Sequence, residues 1–467
     1  MVFDSIEFLV LFAAVFVLYF TLPVRLRNPL LLLSSAVFYM WWRPLYIIFI
    51  LFSVTVDYFV ARRLDRRDGP ATRRLLLAAS LASNLGLLFF FKYFDFAARS
   101  LAAAAGLAGR EWEPPILDLV LPVGISFHTF QALSYTLDVY RREIPVERSL
   151  PKLWLYVLFF PQLVAGPIER AKNLLPQFDE IHYPDEIRIA AGLRLILWGL
   201  AKKMVIADRL AGLVDAVYAT PRAFSGWPLA AATVAFAVQI YADFSGYSDI
   251  AIGTAQVLGF RLQTNFNRPY FATSPVEFWR RWHISLSTWF RDYVYIPLGG
   301  GRGRTRAVAL LATFLLSGLW HGAKWTFVVW GLYHGLVILI WRGLDRTGFA
   351  RWPAAVRMAL TFALMCAGWI LFRANTLSDA SYIVAHLAAE ARRLPMSELG
   401  IHRSDLAIAA AGALALLWVD AARERDWSWS RPERWPLPVR WAACVGVALA
   451  AIHLAGGLDI PFIYFQF

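Results

Sequence analysis

Long apolar stretches alternate with short basic loops along most of the chain. A helix needs about 20 apolar residues to cross a bilayer, so the longer stretches predict membrane-spanning helices and the shorter ones predict embedded or in-plane helices. We expect an all-α polytopic membrane protein with roughly 10–12 transmembrane helices. The apolar runs lie at 5–22, 29–42, 45–61, 75–91, 116–140, 153–166, 187–218, 229–259, 307–320, 354–372, 404–419 and 438–455, with another resuming at Trp325.

Two of these runs are irregular. Pro122, Gly124 and His128 interrupt the run 116–140, which predicts a broken or kinked helix. The run 153–166 is too short to cross a bilayer and ends in Ala-Gly-Pro. It predicts a re-entrant segment, which is tolerated only where it is buried in protein or lines a cavity.

The composition supports a membrane protein, since 59% of the residues are hydrophobic and 17% are charged, against about 25% charged in an ordinary soluble domain. The formal charge of +13 comes from short arginine clusters between apolar runs, which is typical of cytoplasmic loops rather than of nucleic-acid binding. The densest basic loop of the N-terminal half, 62–74, is expected in the cytoplasm. We expect the first apolar run, which follows Asp4, to be an uncleaved helix rather than a signal peptide.

The two cysteines, Cys366 and Cys444, lie inside apolar runs and predict neither a disulfide framework nor a zinc site. We expect no metal. Segments do not repeat along the chain, which disfavours a transporter built from repeats. One integral-membrane domain is predicted over residues 1–467, with its motif-bearing core at about 115–341.

The segment 274–299 predicts a helix in the membrane plane. Ser274, Pro275 and Glu277 form a capping box with proline in the first turn. Aromatic and aliphatic residues, Trp282 and His283 among them, then recur at helical spacing opposite a face with three arginines. Periodicity places His283 on the inner face, where it is either a catalytic imidazole or a core histidine bonded to a backbone carbonyl.

His321 ends the run 307–320, directly after Trp320. That run corresponds to about 21 Å of helix, which is shorter than the roughly 30 Å hydrocarbon core, so we expect His321 below the membrane surface at a turn or kink. Gly318 and Gly322 would let another backbone or a substrate approach it. A neutral imidazole is suited to general-base catalysis, and we favour this role over that of an interfacial histidine without a function.

Two further polar residues lie inside apolar runs. His334 falls mid-span in W-G-L-Y-H-G, where a supporting role and simple helix packing are equally compatible with the sequence. Asp243 belongs to Y-A-D-F-S-G-Y-S-D, where it could orient a histidine or cap a helix break at Gly246, and a structural role is the better interpretation.

The loop G-G-G-R-G-R-T-R, 299–306, could hold a phosphate through backbone amides and arginine side chains. The candidates are Arg302, Arg304 and Arg306. A plain cytoplasmic loop explains the same sequence equally well.

Several motifs together resemble the membrane-bound O-acyltransferase family, in particular its bacterial branch of polysaccharide acetylases. They are L-P-V-G-I-S-F (121–127), L-D-V-Y (137–140), L-V-A-G-P-I (163–168), Y-A-D-F-S-G-Y-S-D-I-A-I-G (241–253), F-W-R-R-W-H-I-S-L-S-T-W-F-R-D-Y-V-Y-I-P-L-G-G, G-L-W-H-G-A and the terminal F-I-Y-F-Q-F.

This resemblance implies a helical bundle around a central tunnel in the bacterial inner membrane. It implies that His321 is the essential histidine and that His283 is the second one. Cytosolic acetyl-CoA is the implied donor, without a bound cofactor, and the implied acceptor is a polysaccharide or a periplasmic SGNH-type partner. Alternatives from other classes are a proton-coupled transporter or flippase and a non-catalytic scaffold of a polysaccharide synthase.

Overall fold

The computed structural model describes residues 1–163, 166–301, 303, 305–391, 402–455 and 462–463, and this part of the chain is helical and without β-strands. The chain divides into two compact units, one formed by 1–193 with 251–263 and one by 194–250 with 264–467. Six of the described helical segments are long and apolar enough to cross a membrane, and three shorter apolar helices accompany them. The predicted all-α polytopic membrane protein is confirmed.

The first unit is a bundle in which α3 and α4 pack against α6. Its helices are α1 Ile6–Thr21, α2 Val24–Met40, α3 Ile47–Asp65, α4 Pro70–Leu88, α5 Phe94–Leu107, α6 Ile125–Tyr140, α7 Leu150–Leu158, α8 Phe160–Leu163 and α9 Ala171–Leu174. A π-helical turn, Phe89–Tyr93, joins α4 to α5.

Two helices run through both units: α10 Glu186–Ala201 and α12 Trp227–Leu258. A π-helical turn, Lys202–Ala207, follows α10 and leads into α11 Asp208–Ala219. The predicted helical pattern at 187–218 is therefore one helical stretch with a wide turn in it.

The second unit contains the motif-bearing segment 274–335. Its helices from this segment onwards are α13 Pro275–Arg281, α14 Ile284–Phe290, α15 Arg306–His321, α16 Trp325–Leu344, α17 Ala354–Arg373, α18 Leu377–His386, α19 Arg403–Glu424 and α20 Leu437–His453. Helices α15 and α16 form a tight antiparallel hairpin, and α17 packs against α16.

Three local expectations need correction. The run 116–140 is not a kinked helix, because α6 begins only at Ile125, after Gly124 with φ +72°. Helix α12 passes through Gly246 without a break, which excludes the alternative that Asp243 caps one there. Gly246 instead lets α12 touch the backbone of α10, since an added Cβ would lie 2.8 Å from the carbonyl oxygen of Gly199.

The third correction concerns the segment 274–299, which is two short helices rather than one. Helix α13 ends at Arg281, and α14 begins at Ile284. The predicted N-cap is confirmed, because the Ser274 side chain accepts a hydrogen bond from the Glu277 amide. The returning bond of the capping box is displaced, since Glu277 accepts it from the amide of Thr273, one residue before the cap. The inner face remains buried, since each short helix presents its aromatic residues to the core.

Candidate active site

His283 lies at the junction of α13 and α14, in the left-handed backbone region with φ +42°. This conformation is uncommon for a residue with a Cβ and costs on the order of 1–3 kcal/mol, so surrounding contacts must enforce it. The enforcing segment is 265–267. The carbonyl of Asn265 accepts a hydrogen bond from the Ile284 amide, and the Asn267 amide donates to the carbonyl of Arg281.

The ring of His283 is buried, with 1% of the residue exposed. Its Nδ1 lies 3.0 Å from Oδ1 of Asn265, and Phe244 of α12 packs against the ring with centroids 4.6 Å apart. Burial lowers the pKa of His283 to about 3, because an imidazolium would lose its hydration there. The imidazole is therefore neutral at physiological pH.

His321 is the last residue of α15, at the turn predicted from the sequence. The turn is tight because α15 and α16 approach at glycines: an added Cβ on Gly318 would collide with the carbonyl oxygen of Phe327. The buried His321 ring then lies among aromatic side chains, with centroid distances of 5.0 Å to Trp330 and 5.2 Å to Phe372.

Trp320 connects the two histidines. Its ring centroid is 4.9 Å from that of His321 and 6.0 Å from that of His283. Trp282, also buried, packs on Phe266 at 5.1 Å and on Trp369 at 5.0 Å. The aromatic residues thus surround both imidazoles with apolar walls, where exclusion of water strengthens electrostatic interactions with a bound group.

His283 and His321 line the same cavity, of about 510 Å³, together with Trp282. Its α15 wall is formed by Leu310, Thr313, Phe314, Ser317 and His321. His321 follows Leu310 by eleven positions along the helix, so the cavity follows α15 for about 17 Å at 1.5 Å per residue. The structure therefore places both predicted catalytic histidines on one elongated cavity.

Three arginines line this cavity as well: Arg280, Arg291 and Arg342. Arg291 pairs with Asp292 at 2.8 Å, while Arg280 and Arg342 have no acidic partner within the described residues. Arg342 lies near the end of α16, which in an antiparallel hairpin is the end where α15 begins. Arg342 thus lies at the Leu310 end of the cavity, and the imidazole of His321 lies at the other end.

The arginines that line the cavity lie on α13, directly after α14 and on α16, rather than on the glycine-arginine loop. Arg302 and Arg304 lie outside the described residues. Arg306 is exposed, begins α15 and is not among the residues that line the cavity. The periodicity of the sequence indicates only that Arg280 and Arg291 lie on the polar face of a helix. For Arg342 the sequence gives no indication of a place at the cavity beyond its position at the end of an apolar run.

Asp243 lies in a buried charged cluster on α12. It pairs with Nζ of Lys203 at 3.1 Å, and its Oδ2 accepts a hydrogen bond from the Ile463 amide at 2.7 Å. Lys203 also pairs with Asp208 at 2.6 Å. These contacts fit the predicted structural role. The side chain that hydrogen-bonds to His283 is Asn265, which lay in no motif singled out from the sequence.

His334 lies one helical turn after Trp330 on α16. Its ring contacts Trp330 at 4.8 Å and Trp279 at 4.9 Å. Both ring nitrogens lack a hydrogen-bond partner among the described residues, and His334 is not among those that line the cavity.

Two buried imidazoles on one cavity, with that of His283 held neutral by burial, can accept protons and hydrogen-bond to bound groups. No group of three or more histidine, cysteine or acidic side chains within the described ranges has the arrangement of a metal site. A multi-pass membrane protein with two buried imidazoles on one cavity has the features of a membrane-embedded enzyme.

Comparison with known proteins agrees with this class. The model of the membrane-bound O-acyltransferase family matches residues 71–377, which is about two thirds of the chain. The chain is 42% identical to the probable alginate O-acetylase AlgI of Pseudomonas aeruginosa, over 81% of this chain and 73% of that protein. It is also 42% identical to the protein of the same name in Azotobacter vinelandii, over 81% of this chain and 76% of that protein.

A relative with a different acceptor in its name is the peptidoglycan O-acetyltransferase of Helicobacter pylori, 35% identical over 78% of this chain and 75% of that protein. The chain belongs to the membrane-bound O-acyltransferase family. It is an O-acyltransferase, and the relatives are bacterial proteins, in keeping with a multi-pass protein of the bacterial inner membrane.

Proposed function

We propose that the protein transfers an acetyl group from cytosolic acetyl-CoA to a hydroxyl group on the other side of the membrane. The acceptor is an extracytoplasmic polysaccharide such as alginate, or a periplasmic SGNH-type partner that completes the transfer. The observation that carries the proposal is the single cavity that joins two buried imidazoles to three arginines. The names of the relatives support acetyl as the group transferred.

The cavity fits a donor that has phosphates at one end and a thioester at the end of a long arm. Arg280, Arg291 and Arg342 would hold the phosphates through charge-assisted hydrogen bonds. The arm would then follow α15 towards His321. The donor enters from the cytoplasm. Three arginines, Arg342, Arg346 and Arg351, lie near the end of the α15–α16 hairpin where α15 begins, and by the positive-inside rule this end faces the cytoplasm.

Acetyl transfer from acetyl-CoA to a hydroxyl group requires no further reagent. His321 removes the proton of the acceptor hydroxyl as the new C–O bond forms at the acetyl carbonyl carbon. The C–S bond then breaks, and the imidazolium returns the proton to the leaving thiolate, which departs as free CoA thiol. A transient acetyl group on His321 is the other form of the same proposal. His283 orients the bound groups in the cavity.

The first test compares purified wild type with His321→Ala and His283→Ala in liposomes with acetyl-CoA, the polymer and its partner. We expect free thiol and O-acetyl ester to appear in equal amounts with wild type and to fall by a factor of about 100 or more in His321→Ala. Full ester formation by a correctly inserted His321→Ala protein would refute the role of His321. Ester formation without thiol release would point to a different donor.

A second test addresses the phosphate end. Replacing Arg280, Arg291 and Arg342 together by glutamine should raise the KM for acetyl-CoA with little change in kcat, because these side chains contact the donor far from the reacting carbon. The matched control is Arg346→Gln, which lies at the same basic end but does not line the cavity. With a short acetyl thioester that lacks phosphates, triple variant and wild type should have the same KM; a difference there would contradict phosphate binding.

A further inference from the structure

The side-chain amide of Asn265 makes four hydrogen-bond contacts, three of them to the residues where α13 meets α14. Its Oδ1 lies 3.0 Å from His283 Nδ1, 2.9 Å from the Ser285 hydroxyl and 3.3 Å from the Ser285 amide nitrogen. Its Nδ2 donates to the hydroxyl of Ser248 on α12 at 3.1 Å. Asn265 and Ser285 are fully buried.

The Ser285 contact fixes which way the amide points. A backbone N–H can only donate, so the atom of Asn265 that faces it must be the carbonyl oxygen rather than the NH₂ group. The same oxygen faces His283 Nδ1. An oxygen acceptor requires a donor, and therefore Nδ1 of His283 carries the proton.

From this geometry we propose that Asn265 is a positioning residue that holds His283 as the tautomer protonated on Nδ1, with the lone pair on Nε2. The proposal rests on the acyl transfer proposed above and divides the work of its two histidines. A neutral imidazole of this tautomer accepts a hydrogen bond at Nε2 and cannot donate one from it. His283 therefore orients an O–H or N–H group of the bound reactants, and it does not supply a hydrogen bond to the oxyanion of the thioester carbonyl.

Other elements around His283 also carry charges that bear on its titration. Helix α12 carries Asp243 and Asp249, which are paired with Lys203 and Lys202. Across the cavity lie His321, at the end of α15, and the arginines of its wall. Arg268 and Arg281 flank the junction and are both paired with Glu424. The amide of Asn265 hydrogen-bonds to the His283 ring directly. A charge introduced at this position therefore has a strong effect on the pKa of His283.

The first arm of the test reads the tautomer directly and needs no activity. Nitrogen-15 NMR of histidine-labelled protein distinguishes a protonated ring nitrogen from an unprotonated one, and the His283 signals are assigned by their loss in His283→Gln. We expect Nδ1 to be protonated in wild type and the two tautomers to mix in Asn265→Leu. An Asn265→Leu protein in which Nδ1 stays fully protonated overturns the proposal, whether or not the protein acetylates anything.

The second arm uses Asn265→Asp, which keeps an oxygen acceptor but puts a carboxylate against the ring. A carboxylate at this distance raises the pKa of an imidazole by one unit or more, typically about 1–3. The pH at which the neutral His283 ring takes up a second proton, read from the same nitrogen-15 signals, should therefore move to higher pH. A folded Asn265→Asp protein in which His283 titrates at the wild-type pH contradicts the proposal.

Asn265→Leu should lower kcat by about tenfold or more with a small change in KM, since residues that orient a catalytic imidazole act on the reacting geometry. The matched control is Asn267→Leu, two residues away in the same segment, whose exposed side chain accepts a hydrogen bond from Arg268. It should leave unchanged both the nitrogen-15 signals of His283 and the pH at which they titrate. Inactive wild-type protein with the expected tautomer would count against acetyl transfer alone.

Discussion

At the scale of single residues, burial of imidazoles without charge is the main electrostatic feature of this protein. His283 is neutral because the unfolded chain can hydrate an imidazolium and the folded site cannot. Its folded pKa of about 3 lies below the ordinary value of 6.5. Stability from this residue is therefore fully present above pH 6.5 and is lost as the pH falls, since only the unfolded state takes up the proton.

We expect wild type to lose stability relative to His283→Gln between pH 7.5 and pH 5.5, by about 1 kcal/mol per pH unit once the pH is below 6.5. Thermal unfolding of both proteins in the same detergent, across this pH range, measures the difference, and titrations shared by the two proteins cancel in it. A constant difference in stability across the range would show that His283 takes up its proton at the same pH in the folded and the unfolded protein.

For His334 we expect that replacement raises the stability of the protein and leaves its activity unchanged. A buried ring with two unpartnered nitrogens costs free energy, so a leucine of similar volume should fit the space beside Trp330 and Trp279 with a gain of about 1 kcal/mol. We expect His334→Leu to unfold at a higher temperature and to keep wild-type activity. A variant that is stable but inactive would instead give His334 a part in the reaction, which its position outside the cavity does not indicate.

At the scale of elements, the antiparallel packing of α15 and α16 positions His321. Gly331 faces the carbonyl oxygen of Phe314, and an added methyl group there would overlap it. Backbone cannot move aside as a flexible side chain does, so the two helices must separate. Such a separation would shift the α15 wall of the cavity together with His321.

Gly331→Ala should therefore cost about 1–3 kcal/mol and lower activity by at least a factor of about ten. Gly343→Ala, on the same helix α16, is the control, because nothing lies within 4 Å of its added Cβ. Alanine there should be neutral or slightly stabilising through helix propensity. Unfolding temperature and thiol release measure the two effects, and equal behaviour of the two variants would argue against the close helix contact.

Predictability differed among the elements for physical reasons. Apolar length located the helices well, as in α1 (predicted 5–22, observed Ile6–Thr21) and α17 (predicted 354–372, observed Ala354–Arg373). The break at His283 was missed because two short helices can keep the same inner face as one long helix. Its left-handed backbone also had no glycine to indicate it. Asn265 was missed because its importance comes entirely from tertiary hydrogen bonds.

At the scale of the whole molecule, the orientation in the membrane depends on the charges at the ends of the spanning helices, and in α15, α16 and α17 these charges are distributed unevenly. The ends where α15 begins, α16 ends and α17 begins carry Arg306, Arg342, Arg346 and Arg351. The opposite end of the same helices carries Lys324 and Arg373. Because the excess of arginine favours the cytoplasmic side, the basic end of the cavity should open towards the compartment that contains acetyl-CoA.

This orientation is testable with α17, whose 20 residues span about 30 Å, the thickness of the hydrocarbon core. In a background without Cys366 and Cys444, a single cysteine is placed at exposed Thr347, before α17, or at exposed Ser378, after it. A membrane-impermeant maleimide added to intact spheroplasts should label Ser378→Cys, and in inverted vesicles it should label Thr347→Cys. The reverse pattern would place the arginines of the cavity on the periplasmic side, where a cytosolic thioester could not reach them.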